Sequence, residues 1–123
     1  MKPPPRPAKR NAYLRGLSAE FLCVWLLRLK GYRILARRYR SPVGEIDIVA
    51  VRGHLLAAIE VKARNTETAA LEAISPRQQQ RIIRALGAFQ SRHPVYAGHD
   101  CRFDLMWVGR VAWPKHILDA WRG

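Results

Sequence analysis

The chain has 123 residues, enough for one domain with a real core and too few for two of ordinary size. Its 22 basic and 9 acidic side chains leave a formal charge of +13, well beyond what solubility asks of a small fold, so the expected partner is polyanionic. No run is long and apolar enough to span a bilayer, which excludes an integral helical membrane protein.

Residues 1–10 hold four Pro and four basic side chains without an apolar run. That composition predicts a basic, Pro-rich disordered tail over 1–12, not a secretory signal, followed by one domain over 13–123. Eleven of the 22 basic residues fall in the first 40 positions, where Glu20 is the only acid. Nucleic acid is the leading partner on this basis; a ribosome or an anionic membrane surface would draw the same charge signature.

Over residues 17–30 the apolar Phe21, Leu22, Trp25, Leu26 and Leu29 recur at helical spacing, and Gly31 follows as a terminator. The spacing predicts a first helix that buries this stripe. Cys23 lies within it and Cys101 opens a later apolar strand; without CxxC spacing the two read as buried free thiols of a reducing cytoplasm, not a disulfide or a zinc site. Residues 32–36 predict a short strand. Arg37, Arg38, Tyr39 and Arg40 then form a basic cluster ahead of the turn at 42–44, suited to phosphate contact with a ring for base stacking.

Residues 44–64, GEIDIVAVRGHLLAAIEVKAR, carry the most information. Glu45, Asp47 and Val49 alternate with Ile46, Ile48 and Ala50, and Glu60, Lys62 and Arg64 alternate with Ile59, Val61 and Ala63, so both runs read as strands with one charged face. A two-residue Gly53-His54 loop sets Arg52 opposite Leu55, which brings Asp47 opposite Glu60 and Glu45 opposite Lys62. A four-residue loop keeps that parity, whereas an unbulged three-residue loop turns Glu60 to the other face. Directly opposed Cβ atoms lie roughly 4.5–5.5 Å apart, close enough for two carboxylates to share a hard divalent cation. Glu45 reads as a partner for Lys62.

Residues 65–74 predict a loop with a short helical piece. Ser75-Pro76 is a strong helix start, and Ile82, Ile83, Leu86 and Phe89 supply a buried stripe up to His93-Pro94. Residues 102–108 predict a strand with Phe103, Leu105 and Trp107 on one face and Asp104 on the other. Ile117, Leu118 and Trp121 recur at helical spacing, which predicts a short last helix over 116–121. Trp25, Trp107 and Trp121 read as core, Trp113 as exposed, and the histidines at 54, 93, 99 and 116 as surface loop residues.

The order of Glu20 in a helix, then Gly44-Glu45-Ile46-Asp47, then Glu60-Val61-Lys62, then a helix entered by Ser-Pro-Arg-Gln-Gln resembles the YraN-like family of bacterial proteins, over residues 16–121. That family looks like a small branch of the PD-(D/E)xK nuclease superfamily, with a fold similar to archaeal Holliday-junction resolvases. The resemblance implies a single-domain α/β fold, a restriction-endonuclease-like mixed β-sheet flanked by helices. By position it makes Asp47 and Glu60 metal ligands, Lys62 the lysine beside the attacking water, and Glu20 and Gln79 further catalytic residues. It also matches Gly16 four residues before Glu20 and the late strand at Arg102-Phe103-Asp104. Two positions depart from the pattern: Gln78 stands where relatives usually have Lys, and Arg38 where Asn is common.

Phosphodiester hydrolysis calls for positive charge at the phosphate, which Mg²⁺ or Mn²⁺ at Asp47, Glu60 and the Val61 carbonyl would supply. Arg37, Arg38, Arg40 and Arg64 are then expected to grip the backbone, with Tyr39 stacking on unpaired bases. The expected protein is a cytoplasmic nuclease acting on DNA more readily than RNA, branched or single-stranded structures included, with a homodimer needed to cut two strands together. The rival readings are a non-catalytic nucleic-acid-binding protein of the same fold and a basic ribosome-associated protein.

Overall fold

The structure, a computed structural model, describes residues 19–109 and 113–123; the predicted tail and Gly16 lie outside the described residues. Strands β2 (Gly44–Arg52) and β3 (Leu55–Ala63) form the expected hairpin. Gly53 takes φ +60°, a left-handed value that glycine reaches without steric cost, and Arg52 pairs with Leu55 across the two-residue loop. Pairing continues to Ile48 and Ile59, so the next residues along are Asp47 and Glu60, as the parity requires.

Strand β1 (Arg33–Ser41) joins β2 antiparallel, β4 (Asp100–Val108) joins β3 parallel, and β5 (Lys115–Trp121) pairs antiparallel with β4. The result is a five-stranded mixed sheet in chain order. A parallel step needs a crossover, and α2 (Glu67–Glu72), α3 (Pro76–Arg92) and a 3-10 turn at Pro94–Tyr96 provide it. The Ser75 hydroxyl accepts from the Gln78 N–H at 3.1 Å, fixing the start of α3 as its sequence predicts.

Helices cover both faces. Helix α1, described over residues 19–29, sets Ala19, Cys23, Val24 and Leu27 against Ile48, Ala50, Ala57, Ile59, Met106 and Val108. On the opposite face Ile82, Ala85, Leu86 and Phe89 of α3 pack with Ile46, Val49, Leu56, Ala58 and Leu105. Strands buried on both sides are apolar on both sides, which is why β2 and β3 do not keep the single charged face that alternation suggested.

Several expectations change. The stripe expected to bury α1 is its outer face: Phe21, Trp25 and Leu29 are 56%, 50% and 79% exposed. The small Ala19 and Cys23 instead let the helix lie close on the sheet, so Trp25 is not core. The basic cluster 37–40 lies within β1, beyond the short strand expected over 32–36, because Tyr39 and Arg40 pair with Ile46 and Glu45. Cys101 is exposed, and it and Cys23 are both free.

The last correction is residues 116–121, a strand and not a helix. Two forces hold them: β4 needs a partner on its outer edge, and Asp104 reaches across to β5. The Asp104 carboxylate is fully buried and takes hydrogen bonds from Arg102 at 2.7 and 2.8 Å, from His116 Nε2 at 2.8 Å and from the Asp119 N–H at 3.0 Å. His116 is therefore an interior residue and not a surface one, its side chain only 1% exposed. The β4–β5 register shifts between Phe103 and Leu105, opposite Asp119 at φ +55°, so helical spacing in this segment is coincidental.

Candidate active site

Regular pairing of β2 lapses on both sides at one position. Arg38 of β1, flanked by the Arg37–Ile48 and Tyr39–Ile46 pairs, lies beside Asp47 and has φ +50°, a left-handed backbone that costs a non-glycine residue about 1 kcal/mol or more. On the other side Asp47 and Glu60 bond through side chains: the Asp47 N–H donates to Glu60 Oε1 at 3.2 Å, and the Val61 N–H donates to Asp47 Oδ2 at 2.9 Å. The strand changes phase here, since Ile46 packs on the α3 side and Ile48 on the α1 side. Each carboxylate is thus held by a backbone N–H of the opposite strand, at the end of the paired hairpin.

Their electrostatics are unusual. Burial pushes the Glu60 carboxyl up to about 8, with the neighbouring Asp47 charge adding to the rise against the pull of Lys62. The Asp47 carboxyl is also raised, first by burial and then by the charge on Glu20, although the Val61 N–H and Lys62 oppose the shift. Cys23, on the sheet-facing side of α1, is pushed to about 12 by burial and by Glu20 and Asp47 in turn, so its thiol stays protonated and inert. The charge of Lys62 reaches both acids, yet it is in none of the ion pairs among the described residues. The expected Glu45–Lys62 pair does not form, because the β1–β2 register puts Glu45 opposite Arg40, 3.3 Å away.

The remaining site residues fall into two groups. Glu20 is buried at the α1 end of this centre, 3.6 Å from Arg37 and 3.3 Å from Arg38, and its Oε1 has no hydrogen-bond partner. The left-handed Arg38 breaks the alternation of β1, which is how two consecutive arginines reach one acid. Arg37, Arg38 and Arg40 therefore spend their charge on protein carboxylates. Tyr39 is packed edge-on against Phe89 at 5.2 Å, so its ring belongs to the core and is not free for base stacking. Arg64 is exposed and bonded to the Ala63 carbonyl at 2.9 Å.

Gln79 turns its amide to the Ile74 carbonyl at 3.2 Å, and the side chain that reaches the carboxylates is Gln78, 3.5 Å from Glu60 Oε2. The signal for this was in the sequence: the Ser75 cap fixes the phase of α3, and Gln78 is the residue whose N–H it takes. Among the described residues no three His, Cys, Asp or Glu side chains form a ready metal cluster. The oxygen donors here are two carboxylates and nearby backbone carbonyls.

Fold and site together define a three-layer α/β protein with an adjacent pair of acids, Glu60 buried and Asp47 half-buried, where its central hairpin opens. The model of the uncharacterised protein family UPF0102 matches residues 19–108, and the chain belongs to that family, the YraN family of the sequence resemblance. It is 50% identical to the UPF0102 protein of Parvibaculum lavamentivorans, over 96% of this chain and 94% of that one. The UPF0102 proteins of Rhodopseudomonas palustris strain BisA53 and Methylorubrum extorquens are 48% and 46% identical, over 96% and 98% of this chain and 91% and 95% of theirs.

Proposed function

We infer that the protein is a metal-dependent nuclease hydrolysing phosphodiester bonds in DNA, on a restriction-endonuclease-like fold of the PD-(D/E)xK type, with Asp47, Glu60 and Lys62 at its centre. The observation that carries this reading is a pair of adjacent carboxylates, each held by a backbone N–H of the neighbouring strand, with the charge of Lys62 acting on both. Such a pair is destabilising until a cation takes it up. Its donors fit a hard ion: two carboxylates and a backbone carbonyl such as that of Val61 are all oxygen, and Mg²⁺ keeps several waters and binds substrate phosphate besides. When bound, Mg²⁺ or Mn²⁺ supplies charge opposite the phosphate and makes water more acidic.

The chain's own groups prepare the reaction. The Val61 N–H holds one oxygen of Asp47, and the Asp47 N–H with the Gln78 amide holds Glu60, so both carboxylates are oriented before substrate arrives. Lys62 sets a fixed positive charge beside them, which stabilises charge developing on the phosphate. Glu20, with an unpartnered oxygen, orients water or takes a second ion. Nothing among these residues reads base edges, so binding selects structure and not sequence. No helix of the described residues is long and apolar enough to cross a membrane, and the expected substrate is nucleic acid.

The test is cleavage of supercoiled, branched and single-stranded DNA with Mg²⁺ or Mn²⁺, by the wild type and by Asp47→Ala, Glu60→Ala and Lys62→Ala. Cutting by the wild type alone, with each variant down by roughly a hundredfold or more, supports the site. Equal cutting by all four removes it. Binding without cleavage by any of them replaces the nuclease by a binding module of the same fold.

A further inference from the structure

The basic surface that the sequence singled out on β1 is engaged internally, by Glu20 and Glu45. Another one is not. Helix α3 reads PRQQQRIIRALGAFQSR, with no acid in 17 residues. Its Arg77, Arg81 and Arg84 are exposed, and their spacing of four and three residues lines them up along one side of the helix. None of the three takes part in an ion pair among the described residues.

These arginines border a trough between α3 and the β1–β2 turn. A groove of about 580 Å³ lies among Ser41, Gly44, Ser75 and Gln78 with Arg77 and Arg81 along it. A second, of about 480 Å³, continues past Pro42 and Val43 with Arg77, Arg81 and Arg84. The first reaches the acid pair through Gln78, whose amide is 3.5 Å from Glu60. Glu45 is the one carboxylate on its wall, and Arg40 holds it. The turn can sit this close because residue 44 is glycine: a Cβ there would fall 2.7 Å from the Arg81 carbonyl oxygen.

We propose that this flank of α3 is the track that leads the phosphate backbone of a nucleic-acid strand to the Asp47–Glu60 centre. From Arg77 to Arg84 the helix rises about 10 Å, the axial length of roughly three successive phosphates on one strand. Guanidinium groups suit the task, since each donates in a fork to phosphate oxygens. The direction of travel rests on the nuclease reading; the binding does not.

The test is fluorescence anisotropy with labelled single-stranded and duplex oligonucleotides in EDTA, over a range of salt. It compares the wild type with the triple variant Arg77→Gln, Arg81→Gln, Arg84→Gln and with a control triple of equal charge away from α3, Arg28→Gln, Arg33→Gln, Arg52→Gln. The track predicts affinity at least about tenfold weaker for the α3 triple near physiological salt, and a log–log salt slope shallower by about 2–3, with a much smaller change in the control. Replacing the three by lysine restores most of the binding. Equal losses in the two triples, or no loss in the α3 triple, overturn the proposal, as does a wild type that binds neither oligonucleotide. A wild type that binds through α3 but never cuts leaves the track standing and ends the nuclease reading; cleavage that needs Asp47 but ignores the α3 triple does the reverse.

Discussion

Two carboxylate centres lie in this sheet, and they are built in opposite ways. Asp104 is saturated: two arginine nitrogens, a histidine and a backbone N–H converge on it, and although burial pushes its carboxyl up, His116, Arg102 and the Asp119 N–H together hold it below the usual carboxylate range. Asp47 and Glu60 have each other, two backbone N–H groups, a long contact from Gln78 and the charge of Lys62, and both are held above that range. A carboxylate that serves the fold is given its counter-charge by the fold; a pair left short of it is, on the proposed function, open to a cation from outside.

The largest effect that separates the two centres is on stability. Asp104→Asn strands Arg102 and His116 in the interior and should cost about 3–5 kcal/mol in urea unfolding, whereas Glu60→Gln in EDTA should leave stability unchanged or raise it. Equal losses would dissolve the contrast. A second effect is pH dependence without metal. Because the folded-state Glu60 pKa lies above its ordinary value, its contribution to stability is full below about 4.5 and is lost as pH rises toward about 8. Asp104, lowered, contributes above its ordinary value and is lost only as pH falls beneath it. Urea midpoints in EDTA should therefore fall from pH 5 to 8 in the wild type and fall less in Glu60→Gln, where only the raised Asp47 remains; a flat wild-type profile would contradict the raised pKa. The smallest effect belongs to the exposed Arg40–Glu45 pair, where Glu45→Gln should change stability by less than about 1 kcal/mol. A larger loss would mean that this ion pair helps to hold the turn over α3.

Much of this was legible in the sequence, and what was not has physical causes. The Gly53-His54 loop fixes register locally, so the opposition of Asp47 and Glu60 could be read from parity. The Ser75-Pro76 cap likewise fixed α3. Helix α1 is apolar on both sides, and periodicity alone cannot say which side meets the sheet; the small Ala19 and Cys23 decide it by allowing close approach. The final strand was hidden because its conformation depends on Asp104 and the free edge of β4, both distant in sequence. Around the site, the acids were visible, but which arginines they neutralise depends on the left-handed Arg38 and on where α1 sets Glu20. Neither is written in local pattern, so sequence alone does not separate the unpaired arginines of α3 from the ion-paired ones of β1.

The most direct test of the central claim is Mn²⁺ binding by electron paramagnetic resonance, in which the free-ion signal disappears on binding. The wild type should take up Mn²⁺ at this centre, and Asp47→Asn and Glu60→Gln should each lose that uptake while remaining folded. Equal uptake by the wild type and both variants, or none by the wild type, would contradict a carboxylate pair built to receive a cation.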